Sequence, residues 1–262
     1  MRRKAALAAR AYVVVAFAYL FAPVLSVTLF SFQTGRVQTF PIRGFTLEWY
    51  ASALTNSAYR EGITTSVIVA VCVAVISTVL GFAGAHLLCR RSPRWPLLYS
   101  AFVSMPAFIP LVLSGLVLLI YFQKIWIYGS LFGVIAAQAC YCSPFAFVVI
   151  YLSYQKLNVE VEQAARNLGA EPTTILISIV LPQLYRPLIA TLLLTALVSW
   201  DEFILAFFVG GFTKTLPTVI YASLATSFDP SINAIGVSVT ICSASLLILV
   251  SRLAPSQSRL AG

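Results

Sequence analysis

The chain has 262 residues, of which 60% are hydrophobic and only 10% are charged. Soluble globular proteins carry roughly 25% charged residues, so this composition, with a mean hydropathy of +0.93, excludes an ordinary soluble domain and indicates a polytopic membrane protein. The net charge of +9 would suit a nucleic-acid-binding protein, but the arrangement of the basic residues explains it differently. The five cysteines lie in or beside apolar runs without metal-ligand spacing, so we expect neither disulfides nor a metal site.

Six apolar runs are long enough for the roughly 20 residues that cross a bilayer. The predicted transmembrane helices cover residues 11–33, 62–88, 96–122, 130–154, 187–209 and 231–251. The MRRK segment before the first run resembles the start of a signal peptide, but the run is too long for a cleaved signal and lacks a clear A-x-A site. The sequence therefore predicts an all-α protein, with a single transmembrane domain over residues 1–262 and six transmembrane helices.

The distribution of basic residues predicts the orientation. If the N-terminus is cytoplasmic, the inner segments carry 12 of the 17 basic residues and the outer segments carry 5. Cytoplasmic loops are enriched in Lys and Arg, so we expect both termini and the polar segment at 155–186 to lie in the cytoplasm. This orientation accounts for the basic composition without any nucleic acid.

The third span contains two prolines. Pro106 and Pro110 each remove a backbone donor, which kinks or loosens a helix. Carbonyl groups freed at such breaks line cavities in transporters. A packing kink without substrate contact is the simpler interpretation of either proline alone.

The longest polar interval between two apolar runs extends from Asn158 to Pro182 and reads NVEVEQAARNLGAEPTTILISIVLP. Asn158 is a good N-cap, and Gly169 is able to close a helix in the left-handed conformation. Apolar residues recur at helical spacing on both sides of this glycine, and Pro182 is expected to end the second helix. The first face comprises Val161, Ala164, Ala165 and Leu168, and the second comprises Ile175, Leu176, Ile179 and Val180. The pattern predicts two short helices around a glycine elbow, and by itself it fits an ordinary connector equally well.

Asp201 and Glu202 are the only charged residues in the fifth span. A carboxylate at the depth of the bilayer costs about 2.5–3.5 kcal/mol on insertion scales, so an adjacent pair persists only if it faces water, protein or a cation. Neighbouring positions on a helix differ by about 100°, which lets both side chains border one polar cleft. Intramembrane acids mark ion or substrate pathways. The alternative is a buried, hydrogen-bonded pair that fixes this span to its neighbours.

No catalytic constellation is recognisable in the sequence. His86 is the only histidine, and the GGFTKT stretch around Lys214 lacks the spacing of a phosphate-binding loop. We therefore expect a chain that is not an enzyme, binds no ATP or other cofactor itself, and depends on a partner for its energy.

The segment 158–182 resembles the EAA loop of the permease subunits of binding-protein-dependent ABC importers. That pattern is Glu-Ala-Ala, three residues, Gly, nine residues, Ile, one residue, Leu-Pro. Gln163 stands at the position of the family's Glu, and Glu162 lies one residue earlier. The resemblance implies the MetI-like ABC permease fold and a role of this segment in transmitting the movement of a partner ATPase. The residues to which it assigns this role are Glu162, Gln163, Ala164, Ala165, Gly169, Ala170, Ile179, Leu181 and Pro182.

Other stretches resemble the spermidine and putrescine branch of these permeases. They are YLFAPVLSVTLFSF, GFTLEWYASAL, SWDEFILAFFVGG, TLPTVIYASL and DPSINAIG. The resemblance implies that Asp201 and Glu202 line the route of a small cationic solute. Trp200 is a candidate cation–π partner, and Pro106 is a candidate lining residue. One departure is Ala107, because polyamine permeases often carry an acid at that place.

The resemblance further implies a multi-pass protein of the bacterial inner membrane, surrounded by lipid and working with several partners. They are two ATP-binding subunits, a second permease that is homologous but not identical, and a periplasmic or lipid-anchored substrate-binding protein. Substrate would cross between the two permeases by alternating access. Short external helices, expected after Thr46 and Thr215, would help to receive the binding protein, although anchoring at the membrane interface explains them equally well.

Other functions stay open on the sequence. Iron, thiamine, opines or other small organic solutes are alternative substrates, because specificity in this class largely belongs to the binding protein. A secondary transporter could use Asp201 or Glu202 as a proton relay, although such folds usually show internal repeats and none is visible here. A structural or assembly subunit without a transport route is a further alternative.

Overall fold

The structure is a computed structural model, which describes residues 2–42, 44–91, 94–226 and 229–253. Over these ranges the chain is mainly helical, and its β-structure is limited to one isolated bridge between Gln33 and Phe45. The helices are α1 (Arg2–Ser31), α2 (Glu48–Thr55), α3 (Ser57–His86), α4 (Pro96–Phe108), α5 (Leu111–Lys124), α6 (Leu131–Tyr154), α7 (Val159–Asn167), α8 (Pro172–Ile175), α9 (Leu181–Asp201), α10 (Ile204–Val209), α11 (Leu216–Thr226) and α12 (Ser231–Leu253). Two π-helical turns, Leu87–Arg91 and Leu176–Val180, continue α3 and α8.

The described residues provide five helices that are long and apolar enough to cross a bilayer, and a bent pair makes a sixth if it is counted as one span. The five are Ala9–Ser31, Ser57–Arg91, Leu131–Tyr154, Pro172–Asp201 and Ser231–Arg252, and the bent pair is Pro96–Phe108 with Leu111–Lys124. The predicted all-α, polytopic fold is confirmed. The second span is longer at both ends than its predicted range, and the third and fifth spans differ from their predicted ranges in more important ways.

The third span is not one continuous helix over 96–122. It consists of α4 and α5, which meet at an angle of 92°. Ile109 separates them in an extended conformation, with φ −78° and ψ 129°, because a proline disfavours the helical conformation at the residue before it. Pro106 lies inside α4 without ending it. The break therefore comes from Pro110 alone.

The fifth span begins earlier and ends earlier than the predicted range 187–209. A continuous helix runs over Pro172–Asp201, and α10 follows as a separate helix. Pro182 does not end the helix as expected, because the π-helical turn Leu176–Val180 ends two residues before it. Such local π adjustments re-satisfy backbone groups that a proline leaves without a donor. The helix ends instead at Asp201, because the backbone of the next residue, Glu202, is extended with ψ 114°.

The chain divides into two compact units, the first made of residues 1–60 and 220–242 and the second of residues 61–219 and 243–262. In the first unit, the most apolar stretch of α1 contains no buried residue. The indole N–H of Trp49 on α2 donates to the carbonyl of Gln33 at 2.7 Å. The hydroxyl of Thr46 accepts from the N–H of Glu48 at 3.1 Å, so the helix predicted after Thr46 is confirmed.

The second unit contains two hydrophobic clusters and the residues of functional interest. Helices α3 and α6 approach closely at Gly81, where an added Cβ would lie 2.7 Å from the backbone of Ala146. Small residues allow such close helix contacts in membranes. The second cluster comprises Ala85, Phe147, Ile150, Tyr154, Ile175, Val180 and Leu184. It therefore packs the segment after the glycine elbow against the ends of α3 and α6.

Candidate functional site

The segment at 158–182 folds as two helices around a glycine, as predicted, but only the first is short, because the second continues to Asp201. Asn158 caps α7, and its Oδ1 accepts a hydrogen bond from the N–H of Glu160 at 2.8 Å. Glu160 and Glu162 both lie in the first turn of the helix. Carboxylates at this end complement the partial positive charge of the free N–H groups.

Gly169 ends α7 in the left-handed conformation, with φ +85°. The N–H of Ala170 donates to the carbonyl of Ala165, and the N–H of Gly169 donates to the carbonyl of Arg166, both at 3.0 Å. This pair of bonds is a Schellman motif. A Cβ at Gly169 would meet nothing within 4 Å, so the glycine is needed for its backbone conformation and not for space. The elbow is thus determined by local geometry.

The buried face of α7 is not the apolar face that the spacing predicts. Val161 and Ala164 are exposed, and Leu168 exposes 89% of its surface. The buried residue of this helix is Glu162, which exposes only 3%. A buried carboxylate is costly unless it is paired, and its partner comes from another helix.

Arg90, in the π-helical turn after α3, holds Glu162 in a bidentate ion pair. Its Nη2 lies 2.5 Å from Oε1, and its Nε lies 2.7 Å from Oε2. The guanidinium also lies over the ring of Tyr154, 4.7 Å from the centroid, and the Tyr154 hydroxyl lies 2.7 Å from Nδ1 of His86. We call these four residues the Arg90 cluster. It joins α7 to the ends of α3 and α6.

The apolar face predicted after the elbow is confirmed. Ile175 and Val180 are buried, and Leu176 and Ile179 are half-buried. Because α8, the π-helical turn and α9 form one continuous helix, Pro172–Asp201 connects the elbow at one end with the intramembrane acids at the other. The structure therefore links the two features that the sequence singled out.

The remaining residues that were predicted to take part in coupling fall into an exposed group and a half-buried group. Gln163, at the position of the family's Glu, is exposed, whereas the neighbouring Glu162 makes the ion pair with Arg90. The other exposed members are Ala164, Gly169 and Pro182, and the half-buried members are Ala165, Ala170, Ile179 and Leu181. Leu168 is exposed like these members, and we call the exposed members together with Leu168 the elbow surface.

Asp201 and Glu202 lie at a break between two helices, so the prediction that both sit within one continuous helix is wrong. α9 ends at Asp201, and α10 begins at Ile204. The two side chains have different environments, because Asp201 is exposed and Glu202 exposes only 7% of its surface. Their roles therefore have to be considered separately.

Glu202 caps α10 and belongs to a buried hydrogen-bond network. Its carboxylate accepts the N–H of Leu205 at 2.9 and 3.1 Å and the N–H of Ala206 at 3.2 Å. The amide nitrogen of Gln138 donates to the same carboxylate at 3.2 Å, and the Gln138 oxygen accepts from the Ser199 hydroxyl at 2.6 Å. We call Gln138, Ser199 and Glu202 the Glu202 network. It ties α6, α9 and α10 together. For Glu202 this matches the alternative of a buried, hydrogen-bonded acid that fixes its span to neighbouring helices.

Asp201 has fewer contacts. The Ser243 hydroxyl lies 3.2 and 3.4 Å from its two oxygens. The indole nitrogen of the neighbouring Trp200 is buried and has no hydrogen-bond partner within the described part of the chain. Pro106 and Leu205 line an apolar cavity of about 450 Å³, whose lining does not include Asp201 or Trp200. The structure thus brings Pro106 beside α10 but not into a common cavity with Asp201.

The sequence patterns did not indicate the roles of Arg90, Tyr154 and Gln138. Gln138 carried a usable signal, since a lone amide inside an apolar span needs a polar partner. Arg90 gave no comparable signal, because a basic residue at the end of a membrane span is common. Over the described residues, no three His, Cys, Asp or Glu side chains come together as metal ligands would.

Comparison with known proteins agrees with this architecture. Residues 78–259 match the family model described as binding-protein-dependent transport system inner membrane component. The putrescine transport system permease protein PotI of Escherichia coli K12 is 29% identical over 84% of this chain and 80% of its own length. The spermidine/putrescine transport system permease protein PotC of Haemophilus influenzae is 26% identical over 91% of this chain and 93% of its own.

Among solved structures, a bacterial ABC transporter involved in the import of the acidic polysaccharide alginate has a TM-score of 0.74. Its sequence identity is 16%, and the alignment covers 97% of each chain. At this identity the similarity shows the fold alone, which is the predicted permease fold. Because the family model matches more than half of the chain, the protein belongs to the binding-protein-dependent transport system inner membrane components, the permease subunits of ABC importers.

Proposed function

We propose that this chain forms, together with a second permease, the membrane route for a small cationic solute, with a polyamine such as spermidine or putrescine as the substrate. The printed functions of the relatives PotI and PotC support this substrate class. The observation that carries the proposal is the exposed carboxylate of Asp201, at the helix break that ends the apolar span Pro172–Asp201.

An exposed carboxylate beside apolar membrane helices is favourable only near water or a cation. An ammonium group is disfavoured in a low-dielectric passage unless an anion compensates its charge. Asp201 forms no ion pair with any Lys or Arg of the described residues, so its charge is available to a substrate. Trp200 offers an adjacent aromatic ring to a second ammonium group. Glu202 supports the route indirectly, because its oxygens are occupied by the Glu202 network.

For coupling, we propose that the elbow surface contacts an ATP-binding subunit. The Arg90 cluster would pass its movement to α3 and α6, and the helix Pro172–Asp201 would pass it towards Asp201. The complete importer would contain two ATP-binding subunits, a homologous but non-identical second permease and an external substrate-binding protein. ATP would be bound and hydrolysed by the ATP-binding subunits, so this chain would need no cofactor of its own.

The proposed orientation, with both termini and the elbow in the cytoplasm of a bacterium, is testable at Leu168. In a variant without the five native cysteines, produced without the ATP-binding subunits, Leu168→Cys should react with a membrane-impermeant maleimide only in inside-out vesicles, because residue 168 is almost fully exposed. The matched control is Phe212→Cys, since Phe212 exposes 94% of its surface in the predicted outer segment. It should react only in intact cells. Labelling of Leu168→Cys in intact cells would reverse the orientation and remove the ATPase contact from the elbow.

The substrate proposal is tested at Asp201. In proteoliposomes with the partner subunits and binding protein, Asp201→Asn should lower spermidine or putrescine uptake by at least about tenfold, the effect of losing one hydrogen-bonded charge contact. Asp201→Glu keeps the charge and should retain most of the uptake. Complex yield and basal ATP hydrolysis should not change in either variant. Normal uptake by Asp201→Asn would contradict the cation route and favour a neutral or anionic solute.

A further inference from the structure

A polar cavity of about 240 Å³ lies between the π-helical turn after α3 and the elbow. Three arginines contribute to its lining, two from the turn and one from α7. Its polar lining comprises His86, Arg90, Arg91, Glu162 and Arg166. Three apolar residues, Ile175, Leu176 and Val180, and Pro172 complete it.

The charges of this cavity do not balance. Glu162 is the only acid among the described residues that line it, and both carboxylate oxygens of Glu162 are bound by Arg90. The guanidinium groups of Arg91 and Arg166 therefore remain without a compensating carboxylate in the lining. Arg91 and Arg166 both line the cavity and are both exposed. A surplus of two positive charges beside a cavity favours an anion.

The geometry of the donors favours a phosphate group. Guanidinium groups present several N–H donors in a planar fork that matches phosphate oxygens. Arg91 is also the last residue of the membrane span Ser57–Arg91, so the cavity lies where a span meets the aqueous phase. Basic pockets at this level bind the headgroups of anionic lipids.

We propose that this cavity binds the phosphate of an anionic phospholipid headgroup, held by Arg91 and Arg166. The bound phosphate would bridge the end of α3 and the helix α7, beside the ion pair that already joins them. It would add a contact between the elbow and the lipid surface, so that anionic lipid stabilises the position of the elbow. The site goes beyond the proposed transport function and does not depend on which substrate is carried.

The test uses the purified full-length chain in neutral detergent micelles and native mass spectrometry with added phosphatidylglycerol or phosphatidylcholine. The wild-type chain should bind phosphatidylglycerol in preference to phosphatidylcholine. The double variant Arg91→Gln with Arg166→Gln should bind phosphatidylglycerol about 30-fold more weakly, from the usual contribution of two basic side chains near a lipid surface. The matched control is Lys156→Gln with Arg186→Gln, which removes two exposed charges of the same segment that do not line the cavity. It should bind like the wild type.

A second arm adds inorganic phosphate to the same samples and follows thermal unfolding. One contradicting result would be that phosphate raises the unfolding temperature of the wild type but not of the Arg91/Arg166 variant, while phosphatidylglycerol raises neither. In that case the cavity takes a free anion, and the lipid assignment is overturned. Equal loss of lipid binding in both double variants would show that general surface charge, and not this cavity, attracts the lipid, and it would also overturn the site. Because the assay uses the permease alone and measures lipid binding, its failure leaves the transport proposal untouched.

Discussion

Replacing Glu162 by alanine is expected to destabilise the permease by about 3 kcal/mol and to abolish substrate-stimulated ATP hydrolysis in the assembled importer. Removing one partner of a buried ion pair typically costs about 3–5 kcal/mol, because the other charge is left uncompensated. The lower value applies here, since the Arg90 side chain keeps 12% of its surface exposed. α7 would retain its caps but lose its attachment to α3. Thermal unfolding of the purified chain and ATP hydrolysis in proteoliposomes measure the two effects.

Two comparisons separate the ion pair from general effects in this segment. Glu171→Ala removes an exposed acid near the elbow and should change neither quantity. Replacing both partners by apolar residues, Arg90→Met with Glu162→Leu, should recover most of the stability, because no buried charge is then unpaired. If Glu162→Ala were as stable and as well coupled as Glu171→Ala, the Arg90 cluster would not be the connection between the elbow and the membrane helices.

Replacing Glu202 by alanine is expected to be the most damaging single change in the membrane region. It leaves the amide of Gln138 and the first N–H groups of α10 without their acceptor. Each buried polar group left unsatisfied costs about 1–3 kcal/mol, so we expect a loss of several kcal/mol. The measurable results are a lower yield of folded chain and a lower unfolding temperature.

The neighbouring acid provides the control for this second prediction. Asp201→Ala removes an exposed side chain whose contact is one serine hydroxyl, and it should leave the unfolding temperature nearly unchanged while lowering polyamine uptake. Glu202→Gln keeps one acceptor oxygen for the cap and should be intermediate in stability. Equal stability losses for Asp201→Ala and Glu202→Ala would contradict the separate roles that we assign to the two acids.

The features that the sequence predicted correctly depend on short stretches of chain. Asn158 caps α7 and Gly169 ends it because capping groups bond to backbone atoms only a few residues away. Membrane spans are equally local, since about 20 apolar residues suffice. The break at Pro110 was partly visible for the same reason, although the sequence could not tell which of two prolines would end the helix.

The features that it missed depend on contacts between distant residues. Arg90 and Glu162 are separated by 72 positions, and Gln138 and Glu202 by 64. The helical spacing around Glu162 pointed to an apolar face, but the buried residue is the acid, because a matching guanidinium lies across the interface. A pattern of hydrophobic residues does not contain the position of such a partner.

The sequence by itself therefore determined that this is a polytopic membrane protein, where α7 begins and ends, and which importer family it resembles. Only the tertiary structure decided that Glu202 is buried while Asp201 is exposed, and that Glu162 faces Arg90. The physical reason is that a polar side chain in an apolar environment must find a partner. Which partner it finds depends on how the helices pack, and not on its neighbours in the chain.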